Sequence, residues 1–228
     1  MPETSQNEFF RGFLYYFLGN NVLLTGEVEM NKETKIIVCV LAIILCVSLA
    51  PQAKAFDVNG WKLGMQAYSF NRFTFFEAVD KTKALEMCYI EAYPGQTLSK
   101  EKPDVKVDHN MSSADRKIML QKLRDSGVQL MNYGVVSLPN DEAECRKVFD
   151  FALDMGIETI VAEPPEDAFD LIERLCNEYK INVAIHNHPK PSHYWNPDTV
   201  LKVCKGRSVR IGACADTGHW MRSGINPV

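Results

Sequence analysis

The sequence predicts an α/β fold of the (β/α)8-barrel type, and three observations predict it. From Trp61 onward, short apolar strands alternate strictly with helical stretches, which implies a parallel sheet with crossover helices. No GxGxxG or GxxxxGK[ST] motif follows the first strand, so a nucleotide-binding open sheet loses support. Polar and ionisable residues gather at the C-terminal ends of the strands, where a barrel builds its active site. Alternation alone fits an open doubly wound sheet as well; the placement of the polar residues decides for the barrel.

Each element has its own signal. Leu63–Phe70 reads as the first strand. Thr74–Met87 shows helical spacing through Phe76, Val79, Ala84 and Met87, with Thr74 as cap. Tyr89–Tyr93 is the second strand, closed by Pro94-Gly95. Residues 96–112 are polar and read as a loop. Ser113–Ser126 is a helix ended by Gly127, and Val128–Val136 is the third strand. Asp141–Met155 is a helix stopped by Gly156, followed by a fourth strand at Thr159–Ala162. Glu166–Tyr179 carries Phe169, Ile172 and Leu175 on one face. Asn182–Ile185 is the fifth strand. Pro197–Cys204 is a helix with Asn196 as N-cap and proline at its first position, and Arg210–Ala215 is the sixth strand.

The front of the chain has a different character. Residues 36–50, IIVCVLAIILCVSLA, form the longest apolar run, with Lys32 and Lys35 before it and Ala53-Lys54-Ala55 after it. That order is the pattern of a secretory signal peptide cut after Ala55. An uncleaved anchor is the rival, although a bilayer span wants about 20 apolar residues. The expected organisation is therefore an extension at 1–29 upstream of a true start at Met30, a signal or anchor at 30–55, and the barrel at 56–228. The protein is expected to be exported, periplasmic or secreted, and to meet a membrane only through an uncleaved N-terminal segment.

Composition narrows the function. Of 228 residues, 24% are charged, and the net charge is −4 with no basic patch, which speaks against nucleic acid. Of seven cysteines, Cys39 and Cys46 lie in the apolar run. The rest, Cys88, Cys145, Cys176, Cys204 and Cys214, are scattered without a CxxC pair, against a disulfide framework or a zinc–cysteine site. The chemistry-bearing residues are Gln66 and Tyr68, Glu91, Asn132, Glu163, His186 and His188, and Asp216 and His219, strand by strand. Strands lie about 4.8 Å apart, so Glu163, His186 and Asp216 are expected to line one pocket. Such oxygen and nitrogen donors suit a divalent metal: Mn, Mg, Co or Zn. Gln66 and Tyr68 can equally fill the barrel's layers. Trp195 and Trp220 can present an aromatic face to a ligand or simply pack. His109 and His193 sit in polar loops and read as solvated.

The segments VAIHNHPKPSHYWNPDTVLK and GACADTGHW resemble strands five and six of the xylose isomerase-like TIM-barrel family, which includes D-tagatose 3-epimerase, inosose dehydratase and endonuclease IV. WKLGMQAYSF and YIEAYPG are similar to its first two strands. The resemblance implies a metal-dependent isomerase or epimerase acting on a sugar or keto-sugar through an enediolate. It implies Asp216 as an acidic metal ligand and His219, three residues on, as a contact to substrate. Where many members carry a glutamate ligand on strand five this chain has His186, so Glu163 is expected to supply the missing carboxylate as ligand and proton-moving group. Glu91, His188 and Trp220 are expected to contact the sugar. About six βα units are present, so the barrel is expected to be incomplete. The family's remaining ligands, after strands seven and eight, would lie beyond Val228. A keto-glycoside lyase or hydratase, a phosphodiesterase of the endonuclease IV kind, and an inactive or sugar-binding fragment are the alternatives; the acidic charge and leader speak against the phosphodiesterase. The partner is a small sugar, and a homo-oligomer fits equally well.

Expressed with its leader in a host that exports it, the protein should begin at Phe56 when its N-terminus is sequenced. A membrane-bound product retaining residues 36–50 would support the anchor instead.

Overall fold

The structure is a computed structural model that describes residues 57–227, all within the compact unit Ala53–Val228. The expected signal segment and upstream extension lie outside the described residues. Among these residues no helix is long and apolar enough to cross a membrane.

A two-residue antiparallel pair, β1 (Asp57–Val58) and β2 (Trp61–Lys62), opens the domain. The main sheet contains β3 (Gly64–Gln66), β4 (Tyr89–Ala92), β7 (Gln129–Val136), β8 (Thr159–Ala162), β9 (Asn182–His186) and β10 (Ile211–Cys214). Its spatial order is the chain order of those strands, and every pairing is parallel. Between them run α1 (Phe75–Ala84), α2 (Ser113–Ser126), α3 (Glu142–Met155), α4 (Phe169–Tyr179) and α5 (Pro197–Cys204), with the short α6 (Thr217–Arg222) after β10. This is the successive βα progression of a (β/α) barrel, with six units on the sheet.

Local sequence chemistry sets these boundaries. Thr74 and Glu77 make a reciprocal capping box at α1. Ser112, Asp141 and Asn196 accept backbone N–H groups at the starts of α2, α3 and α5. Gly127 and Gly156 end α2 and α3 in the left-handed conformation, at φ 67° and 70°.

The core fills the space between sheet and helices. Phe75 and Val79, Met119 and Leu123, Phe149 and Ala152, Phe169 and Ile172, and Val200 and Val203 come from successive helices. They meet Ile90, Leu130, Ile160, Val183, Ile185 and Ile211 of the strands. Each large side chain buried in this way contributes roughly 1.5–3 kcal/mol. Because side chains alternate along a strand, committing Val183 and Ile185 to this core turns His186 to the opposite face of β9.

Three expectations need correction. The first strand was expected to run to Phe70, but β3 stops at Gln66 and Ala67–Phe70 form a 3-10 turn. The cause is local: the Gln66 carboxamide accepts the N–H of Tyr68, capping the turn and ending the ladder. Tyr68 accordingly stands 60% exposed and fills no barrel layer. The polar stretch 96–112 contains a hairpin, β5 (Thr97–Ser99) with β6 (Lys102–Lys106). Leu98 and Val107 anchor it, both fully buried. With so few apolar positions, it gave no alternation to read. Residues 166–179 also enter their helix through a 3-10 turn, Glu166–Ala168.

Gly134 marks the tightest strand contact. A Cβ placed there would lie 2.3 Å from the Val161 carbonyl oxygen of β8. Gly134→Ala should therefore destabilise the protein by about 3 kcal/mol, the upper range for overpacking, as read by urea denaturation. An unchanged midpoint would show that β7 and β8 can part there at no cost.

Candidate functional site

The C-terminal ends of β8, β9 and β10 bring one acid–imidazole cluster together. Glu163 follows β8 directly, His186 is the last residue of β9, and Asp216 lies two residues past β10. Cys214 and His186 are paired across β9 and β10, which fixes the heights of their strand ends.

Glu163 is the centre of this cluster. Its Oε1 lies 3.2 Å from His186 Nδ1, accepts the His188 backbone N–H at 2.9 Å and also contacts His188 Nδ1. Its Oε2 accepts the Ser192 hydroxyl at 2.7 Å. Burial is the largest single influence on this carboxyl and pushes its pKa up. The hydrogen bonds from His186, Ser192 and His188 outweigh it and bring the pKa down to about 2. Glu163 is therefore ionised at neutral pH and acts as an acceptor. His186 then presents Nδ1–H to it, leaving the Nε2 lone pair directed away.

Asp216 serves two purposes at once. Its Oδ1 caps α6 by accepting the His219 N–H at 2.8 Å. Its Oδ2 faces the imidazoles, 3.8 Å from His186 Nε2 and 3.5 Å from His219 Nε2. The Asp216 backbone is held by a reciprocal pair with the Asn187 side chain, at 2.8 and 2.9 Å. Asn187 was not foreseen as a site residue; it is 1% exposed, and a buried asparagine between two histidines is the signal that could have flagged it.

The donor set fits a metal ion. Ligand atoms of His186, His188 and His219 lie within 4.8 Å of one another. The rings of His186 and His188 are 4.4 Å apart, and those of His188 and His219 are 5.2 Å apart. The 3.8 Å between His186 Nε2 and Asp216 Oδ2 is too long for a hydrogen bond. It is a separation that two atoms bonded to one cation at roughly 2.1 Å can span. Burial lowers the His219 pKa and Arg222 lowers it further, against the pull of Asp216, so the neutral form is favoured; Arg222 contacts its Nδ1, which leaves Nε2–H toward Asp216.

The other expected residues are placed apart from this cluster. Glu91, on β4, meets Gln66 Nε2 at 3.3 Å and Asn132 Nδ2 at 3.2 Å. Burial raises its pKa, while those two amides and His186 pull the other way. Trp220 follows His219 on α6, and its Nε1 is buried without a hydrogen-bond partner. Trp195 lies under the Lys190 ammonium, 4.0 Å from the ring centroid. His193 pairs with Glu166 at 2.9 Å on the surface. His109 is not simply solvated: its Nδ1 lies 3.2 Å from the Tyr133 hydroxyl and burial lowers its pKa.

No family model matches the chain, and no curated protein matches it. Solved structures do. The chain is 35% identical to an uncharacterized protein from Parabacteroides distasonis ATCC 8503, over 73% of this chain and 68% of that one, with a TM-score of 0.63. It is 14% identical to a D-tagatose 3-epimerase-like protein, over 69% and 66% of the two chains, with a TM-score of 0.52. A sugar phosphate isomerase/epimerase from Parabacteroides distasonis ATCC 8503 is 13% identical over 78% and 73%, with a TM-score of 0.51. The last two likenesses are of fold.

The depressed Glu163 pKa lies below the 4.5 of a free side chain. Its contribution to stability is thus complete above pH 4.5 and is lost as the pH falls from 4.5 toward 2. Glu163→Gln should lower metal-free stability at pH 7 by about 1–3 kcal/mol and flatten the acid limb of a stability–pH curve. An acid limb identical to wild type would mean that the imidazole contacts do not hold this carboxylate.

Proposed function

This chain belongs to the xylose isomerase-like TIM-barrel superfamily, and from that premise we propose that it is a metal-dependent isomerase or epimerase of a sugar or keto-sugar. One observation carries the reading: Glu163, His186, His188, Asp216 and His219 from three adjacent strand ends meet in one cluster. The printed functions of the two fold neighbours, an epimerase-like protein and a sugar phosphate isomerase/epimerase, support the same class.

In this proposal His186 and Asp216 hold a divalent ion, Mn, Mg, Co or Zn, with His188 beside them. When bound, such an ion polarises a carbonyl oxygen and stabilises negative charge developing on it. The expectation placed Glu163 among the ligands and as the proton-moving group. Both its oxygens are engaged by His186, His188 and Ser192. That supports a different role, in which the carboxylate orients the two imidazoles and fixes which ring nitrogen each leaves free. With a pKa of about 2 it is also a weak base for an α-proton. His219 orients a substrate hydroxyl beside the reacting carbon. Glu91 contacts hydroxyls from across the barrel, and Trp220 offers its ring face. In this reading the His188 Nε2 lone pair, left free by the Nδ1 contact to Glu163, takes the proton α to the carbonyl to give an enediolate and returns it to the adjacent carbon to give the isomer; a proton delivered from the opposite face gives the epimer. A leader at 30–55, as expected from the sequence, would carry this chemistry outside the cytoplasm.

Calorimetric titration with Zn²⁺ and Mn²⁺ tests the centre. Asp216→Asn should weaken binding at least tenfold, and Glu163→Gln about 10–100-fold, the range for a carboxylate behind a ligating histidine. Ketohexoses incubated with the loaded protein should yield their epimers or aldose isomers, with loss of turnover on chelation. Turnover unaffected by a chelator, or no metal bound at micromolar protein, would overturn the proposal.

A further inference from the structure

We infer that Gln66, Glu91 and Asn132 form the far wall of the substrate site and select an uncharged polyhydroxyl chain over its phosphate esters. The inference rests on the sugar-site reading above and adds a substrate class to it. Strand register places the three together: Gln66 pairs with Glu91 across β3 and β4, and Glu91 with Asn132 across β4 and β7. Their side chains converge as well, with both Glu91 carboxyl oxygens receiving carboxamide N–H groups at 3.3 and 3.2 Å. Gln66 is itself fixed by the Tyr68 N–H on its carbonyl oxygen, so its amide can turn only one way.

The composition of this wall is what selects. The hydrogen-bond donors on Glu91 are neutral amides, and no Lys or Arg is among them. Glu91 is within electrostatic reach of His186 and of Cys214, the strand partner of His186. The wall and the imidazole cluster thus share one barrel interior. A carboxyl held by two amides offers its remaining lone pairs to hydroxyl donors, which suits a polyol. A phosphate placed there would be buried beside a carboxyl without a cation, an arrangement that costs heavily.

The test uses the full chain with Zn²⁺ present and dissociation constants from ligand-observed NMR titration. The probes are D-fructose, its 1-phosphate and its 6-phosphate, so that either end can carry the charge. D-Fructose should bind at least about tenfold tighter than either ester, as expected when like charges meet in a desolvated site. Glu91→Gln should narrow that ratio to within about threefold while leaving Zn²⁺ affinity unchanged. Asn132→Asp, which adds charge to the wall, should widen it, and gives an independent arm if Glu91→Gln does not fold. Equal or tighter binding of an ester by the wild-type chain overturns this inference and leaves the sugar-site reading standing. Binding of none of the three overturns both.

Discussion

The carboxylate of Glu163 is the interaction from which the site is built. It accepts from His186 and from the backbone and ring of His188 on one oxygen, and from Ser192 on the other. A single ionised group thereby fixes the end of β9 and the loop after it against the end of β8. Removing its charge would release two imidazoles together, because both point their Nδ1 atoms at the same oxygen. The price of holding a half-buried carboxylate is met by these donors, which overcome the desolvation that alone would drive it toward the neutral acid.

The fold makes this meeting unavoidable. Parallel pairing sends β8, β9 and β10 in one direction, so residues far apart in the chain arrive at the same rim. Side-chain alternation then sorts chemistry from packing. Val183 and Ile185 go to the helices and His186 to the interior. The helix after β10 finishes the arrangement, since its cap, Asp216, spends one oxygen on the helix and leaves the other for the imidazoles. Fold stability and the proposed chemistry thus share residues at this rim, and a change at Asp216 or Asn187 is expected to disturb both.

Much of this was legible in the sequence, for identifiable reasons. The strand–helix alternation, Thr74, Asn196 and the glycine stops at 127 and 156 carry strong local signals, and the structure uses each of them as read. Gln66 misled because a strand-like apolar context hides a side chain that caps its own turn. The hairpin at 97–106 escaped because few apolar side chains, Leu98, Val105 and Val107, tie it to the core and leave no alternation to read. At the candidate site, residue identity suggested which side chains could carry chemistry, but not how their atoms are shared. That His186 and His188 converge on one oxygen of Glu163, and that Asn187 clasps Asp216, depends on the stagger between strands, which no single segment encodes.

The central claim is that the imidazoles and Asp216 Oδ2 enclose a cation position which Glu163 organises from behind. A crystal structure grown with Mn²⁺ and phased for its anomalous signal measures this directly. The account predicts an anomalous peak bonded to His186 Nε2 and Asp216 Oδ2, with the Glu163 carboxylate still against His186 Nδ1. A peak at another location, or none at all under saturating Mn²⁺, would contradict it.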